Sequence, residues 1–127
     1  MRERDESAAL DRLREELAAA RESERHYRTL AEASHDYIFI IGRDDTVRYV
    51  NPAAAALFGR RPEDIEGRRR SELFPPHVAE RQTANLQRVF QTGEPMAAED
   101  RTDFPGGHRW LDSRLIPITD ADGQVTA

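Results

Sequence analysis

Between residues 5 and 33 the chain carries neither Gly nor Pro and is dominated by Ala, Leu, Glu and Arg, all strong helix formers. Leu10, Leu13, Leu17, Ala20, Glu24, Tyr27 and Ala31 recur at alternating steps of three and four, so they share one seam of a helix. Read as a heptad, Leu10, Leu17, Glu24 and Ala31 take position a, and Leu13, Ala20 and Tyr27 take d. Glu16 then stands at g and Arg21 at the following e, the arrangement that pairs helices in parallel. The spacing predicts a long amphipathic, coiled-coil-like helix over residues 1–33, followed by a separate domain over 34–127. The competing reading is a single helix packed on its own domain.

Beyond the helix the period changes. Residues 36–42 (DYIFIIG) are apolar on both faces, as in a central strand. Arg43, Asp44 and Asp45 form a turn, and residues 46–50 complete a hairpin. Asn51 and Pro52 then open a short helix over 53–58 that Gly59 ends. Residues 61–67 and 70–74 have room for single helical turns only. A longer amphipathic helix runs from Pro75 to about Thr92, with Val78, Leu86, Val89 and Phe90 on its buried side and Gly93 as its stop. Strands over 95–102 and 108–118 follow, joined by the loop from Phe104 to Gly107. Asp120, Ala121, Asp122 and Gly123 make a tight turn into the first residues of a further strand, 124–127.

Composition removes several chemistries. A chain of 127 residues suits one domain with an appended helix. No apolar run reaches membrane-spanning length, and no signal segment opens the chain, so a cytoplasmic location is expected. The absence of cysteine removes disulfides, thiolate metal sites and cysteine nucleophiles. All 19 basic residues are Arg, which removes Schiff-base and P-loop lysines. The arginines at 60–61 and 68–70 could hold a phosphate or carboxylate, but a solvated surface is the simpler account. A net charge of −5 gives no general attraction to nucleic acid.

The element order, together with two stretches, resembles the PAS family. The stretches are YRTLAEASHDYIFIIGRDDTVRYVNPAAAALFGRRPEDIEGRRRSELFPP and GHRWLDSRLIPITDADGQV. Asn51-Pro52 with Phe58-Gly59, Pro62 to Ile65 with Gly67, Trp110, and Asp120 to Gly123 fall in the family's order. The resemblance implies an α+β PAS fold: a five-stranded antiparallel sheet with small helices on one face, preceded by the long helix. It implies a sensory and dimerisation module of a bacterial-type signal transduction protein. Such a module would relay ligand or partner state through helical linkers to an output domain, a kinase, cyclase or similar, that this sequence does not contain. The alternative is a PAS domain with a packed core that acts only as a dimerisation scaffold. In this family the last strand lies between the strands from Asp36 and His108, so only its beginning is expected here, as if the chain were cut from a longer protein.

The pocket of such a fold lies between sheet and small helices. Phe39, Ile41, Leu57, Phe58, Ile65, Leu73, Leu86, Phe90, Leu111, Ser113 and Leu115 are the candidate lining, with simple core packing as the competing account. Asn51, Arg70, Asn85 and Arg88 could converge there with Ser113, though each also suits a cap or a surface. The family's flavin photochemistry requires a cysteine and is excluded. Its haem-binding members place a histidine on the long helix where this chain has Gln82. The nearest histidine, His77, belongs to that helix's first turn, so no haem and no metal is expected.

No catalytic constellation emerges, and the chain is not expected to be an enzyme. His35 and Asp36 are adjacent and would point to opposite faces of a strand. His108 and Asp112 would share a face but stand ~13 Å apart at strand rise. A homodimer is expected instead. Leu10, Leu13, Leu17 and Ala20 would pair in parallel, and Tyr27 and Leu30, from the same or the partner chain, would cover Trp110 and Ile116 on the outer sheet face. No membrane partner is expected.

Overall fold

The computed structural model describes residues 2–127 and divides into two compact units, one ending at His35 and one spanning Asp36–Ala127. The first is a single helix, α1 (Arg2–Ala33), 32 residues long, in which no side chain is buried. Glu24 and Glu32 flank Arg28 one turn away on either side, at 3.7 and 3.9 Å, and Asp11 pairs with Arg14 at 4.0 Å. Exposed pairs of this kind add only tenths of a kcal/mol each. The helix therefore rests on intrinsic propensity, and its leucine seam is open to solvent: Leu13 is 61% exposed.

The second unit begins with an antiparallel hairpin of β1 (Phe39–Ile41) and β2 (Val47–Val50), in register Phe39↔Val50 and Ile40↔Tyr49 with an irregularity at Ile41. Asp45 occupies the left-handed region at φ 69, which Asp tolerates, and closes the turn. Asn51 is fully buried and caps α2 (Pro52–Ala56). Its Oδ1 accepts from Ala54 N at 3.0 Å and from Ile38 N at 3.1 Å, while its Nδ2 donates to Asp36 O at 2.7 Å. One side chain thus fastens the chain entering β1 to the first turn of α2.

A short helix, α3 (Pro62–Ile65), and a 3₁₀ turn over Arg70–Glu72 follow. The intervening backbone runs along β2: Val47 N donates to Arg68 O and Gly67 N to Val47 O, both at 2.8 Å. Val47, Val50, Ala54, Ala55, Phe58 and Ile65 form the core between β2 and the two short helices. Phe58 meets Phe39, Phe74 and Phe104 edge-on, with centroids 6.3, 5.3 and 5.5 Å away.

Helix α4 (Pro76–Thr92) buries Val78, Ala79 and Val89 and ends at Gly93, whose φ of 67 is the left-handed cap that glycine adopts without strain. A nine-residue ladder joins β3 (Met96–Phe104) to β4 (Gly107–Leu115), from Met96↔Leu115 to Phe104↔Gly107. The expected loop from Phe104 to Gly107 is tighter than its sequence suggests, because both end residues join the ladder and only Pro105 and Gly106 turn. Along β4, Leu111, Ser113 and Leu115 face inward, and Trp110, Asp112 and Arg114 face out.

Among the described residues, four strands form two two-stranded sheets, β1–β2 and β3–β4, in place of one five-stranded sheet. Residues 36–42 are correspondingly not a central strand. Only Phe39–Ile41 is extended in a ladder, half-buried and paired on one side. The segment 124–127 folds back on 118–120, with Thr126 N donating to Ile118 O at 2.8 Å and Ile118 N to Ala127 O at 3.0 Å. Asp120 Oδ1 closes this turn by accepting from Asp122 N and Gln124 N, at 2.9 and 3.0 Å. Pairing across so short a loop is the least costly in chain entropy. Among the described residues, no helix is long and apolar enough to cross a membrane.

Candidate functional site: a cavity under the sheets

A cavity of ≈190 Å³ opens between both hairpins and α4. The alternation of each strand supplies one side of it: Phe39 and Ile41 from β1, Ala98, Asp100, Thr102 and Phe104 from β3, and Leu111, Ser113 and Leu115 from β4. Helix α4 contributes Arg81, Gln82, Asn85 and Leu86, which lie on one face by their three- and four-residue spacing. Tyr37, Phe74 and Arg70 complete the wall.

Arg70 is only 4% exposed, and its guanidinium ties three elements together. Nε donates to Asp45 Oδ1 in the β1–β2 turn at 2.8 Å. Nη1 donates to Gln82 Oε1 at 2.7 Å and Ala79 O at 3.3 Å, and Nη2 donates to Thr83 Oγ1, all on α4. The second oxygen of Asp45 accepts from Ser71 N at 3.1 Å. Burial acts to raise the pKa of Asp45, but the Ser71 hydrogen bonds and the Arg70 guanidinium outweigh it and hold the carboxyl below the usual carboxylate value. The second cation is paired as well. Arg81 Nε lies 3.6 Å from Asp100 Oδ2, and Arg81 Nη2 donates to Arg101 O at 3.1 Å and Thr102 Oγ1 at 3.4 Å.

Of the candidate lining residues, Phe39, Ile41, Leu86, Leu111, Ser113 and Leu115 do face the cavity. The other five do not. Phe58 and Ile65 are buried in the core with Val47 and Val50, and Leu57 and Leu73 pack against that cluster. Phe90 lies beneath the Arg43 guanidinium, 5.4 Å from its carbon. The short helices press Leu57, Phe58 and Ile65 toward the core on β2. Of the polar candidates, Arg70, Asn85 and Ser113 line the cavity, whereas Asn51 is a cap and Arg88 is exposed. Phe104 and Phe74 were not among the candidates; for β3, the alternation of Ala98, Asp100, Thr102 and Phe104 is the signal that places Phe104 there.

Neither histidine of the second unit, His77 or His108, lines the cavity. His77 is exposed and pairs with Asp103 at 3.0 Å, and His35 and His108 are exposed too. Among the described residues no group of three His, Asp or Glu is placed to hold a metal ion. Leu10, Leu13, Leu17, Ala20, Tyr27 and Leu30 are exposed along α1. On the second unit Trp110 and Ile116 are 69% and 70% exposed.

Two hairpins and short helices around a small, mostly apolar cavity make up an α+β module. The chain matches the PAS fold over residues 31–127 and belongs to that family. It is 34% identical over 119 residues to the two-component sensor PprA of Pseudomonas aeruginosa, covering 91% of this chain and 13% of the sensor's length. The PAS domain of a protein from Colwellia psychrerythraea superposes with a TM-score of 0.69 at 18% identity, over 80% of this chain and 87% of that one. VqmA from Vibrio cholera, in a complex with ligand and DNA, gives 0.69 at 20% identity, over 80% of this chain and 46% of that one. At such identities the solved structures establish the fold alone.

Proposed function

We propose that the chain is the sensory module of a signalling protein, which binds a small molecule under its sheets and passes the bound state to an output domain through helical linkers, as a homodimer. The cavity carries this reading. A dimerisation scaffold needs only a packed core, whereas here ≈190 Å³ remains open beside Asn85 and Ser113. The similarity to a two-component sensor supports the signalling role, and the chain spans only 13% of that relative. Reading and relaying require no catalytic group, no haem and no metal, and none enters this account. The dimer rests on the open seam of Leu10, Leu13, Leu17 and Ala20, with Tyr27, Leu30, Trp110 and Ile116 as further contacts.

If cavity and dimer are coupled, filling the one should shift the other. Ala98 faces the cavity from mid-β3, directly across from Ser113. Ala98→Phe should therefore change the dimer dissociation constant about fivefold or more, the usual scale of allosteric coupling, with the melting temperature kept. Sedimentation of wild type and variant over a concentration series reads this. Equal dissociation constants would favour the scaffold.

A further inference from the structure

The lining of the cavity also restricts the charge of what it can hold, an inference that rests on the sensor reading above. Both cations in its wall are already engaged inside the protein. Arg70 is committed to Asp45, Gln82, Thr83 and Ala79, and Arg81 to Asp100, Arg101 and Thr102. The one carboxylate in the wall, Asp100, belongs to the second of these pairs. An anion beside Arg70 would have to draw its buried guanidinium from Asp45, and a cation would have to draw Asp100 from Arg81. Breaking the Arg70–Asp45 pair would leave a buried charge unpaired, which is costly. The Arg81–Asp100 pair is about one-third exposed and costs less to open. Two neutral polar side chains are in the opposite condition. Asn85 on α4 and Ser113 on β4 face the same cavity, and their side chains make no hydrogen bond among the described residues. Between them they can donate and accept. The remaining wall is chiefly aromatic and aliphatic, with Phe39, Phe74 and Phe104 supplying ring faces and edges. Size sets the last limit, since an engineered apolar cavity of about 150 Å³ takes one benzene ring.

We propose that the cavity binds an uncharged, single-ring compound of roughly six to ten non-hydrogen atoms, bearing an amide- or hydroxyl-type group that hydrogen-bonds to Asn85 and Ser113. The ring packs among Phe39, Phe74 and Phe104, and the Arg70–Asp45 and Arg81–Asp100 pairs remain closed around it.

Benzamide, benzoate and benzamidinium are nearly equal in size and shape and differ in charge, so they test this directly. Each is titrated into the ¹⁵N-labelled chain at neutral pH while the amide signals of Ala98, Thr102, Leu111 and Ser113 are followed. Benzamide should shift these signals with a dissociation constant in the millimolar range or tighter, and at least about tenfold tighter than either ion. Asn85→Leu should weaken benzamide about tenfold, and Ala98→Phe should abolish the shifts. Benzoate or benzamidinium binding at the same amides as tightly as benzamide overturns the uncharged class while leaving the cavity as a binding site. Benzamide binding unchanged in Asn85→Leu overturns the assigned hydrogen bond. If none of the three moves the lining amides, both this inference and the sensor reading fail.

Discussion

Arg70 is one of three consecutive arginines, yet its neighbours Arg68 and Arg69 are exposed while it is buried. Removing Asp45 would leave its guanidinium without a counter-charge, which in buried pairs costs ~3–5 kcal/mol. Gln82, Thr83 and Ala79 continue to accept from it, so Asp45→Asn should cost about 3 kcal/mol, the low end of that range. Asn suits the left-handed backbone at this position, so the loss reports on the ion pair and not on strain. The pH dependence has a definite sign. The folded-state pKa of Asp45 is depressed, so its contribution is complete above the unfolded value of 3.8 and disappears as pH falls through the lower folded value. Urea unfolding should show wild-type stability falling below about pH 4, with that part of the fall missing in Asp45→Asn. Identical pH profiles would show that Asp45 contributes nothing to acid sensitivity. Asn51 offers a second test. Asn51→Ala removes an N-cap together with the hydrogen bonds to Ile38 N and Asp36 O, so about 2–4 kcal/mol should be lost. A loss under about 1 kcal/mol would mean the cap alone matters.

At the scale of elements, α1 and α4 are opposite solutions to the same problem. Helix α4 is fixed at both ends, by Pro76 in its first turn and Gly93 as its cap, and it buries Val78, Ala79 and Val89. Helix α1 buries nothing, and its leucines gain stability only by meeting another apolar surface. Leu10, Leu13 and Leu17 are already about half covered by their own helix, so full burial should add about 1–1.5 kcal/mol each. A contact of Glu16 with Arg21 of the partner helix, exposed at the edge of the seam, would add a few tenths. Leu13→Asp with Leu17→Asp should turn a dimer into a monomer by light scattering, with the melting of the second unit unchanged. A native mass that stays at two chains would place the interface elsewhere.

For the molecule as a whole, the outer face of β4 is the other open apolar surface. Trp110 is the only tryptophan in the chain and, like Ile116, stands largely in water. Two large exposed apolar groups, Trp110 on β4 and Ile116 just past its end, are the mark of a contact surface. If the dimer covers them, Trp110 emission should move to shorter wavelength as concentration rises through the dimer range, and Ile116→Glu should weaken that response. Constant emission across a doubling of mass would remove β4 from the interface.

The sequence by itself determined what depends on neighbours a few residues apart. The three-four spacing from Leu10 to Ala31 specifies α1, the interval between Pro76 and Gly93 specifies α4, and period-two alternation turns Leu111, Ser113 and Leu115 inward and Trp110 outward. Each is a backbone geometry acting on local composition, so it is legible without the fold. The resemblance to the PAS family rests on the order of such signals together with particular residues, among them Asn51-Pro52, Trp110 and Asp120 to Gly123. What only the tertiary structure decided is how residues distant in sequence share space. Nothing near Arg70 separates it from Arg68 or Arg69; its burial follows from Asp45 and Gln82 arriving from other elements. Phe58 and Phe104 are alike as residues, yet the short helices press Phe58 into the core on β2 while the tight β3–β4 turn brings Phe104 to the cavity wall. The cavity is a volume no side chain fills, and an unfilled volume is a property of the assembled elements, with no local pattern to announce it.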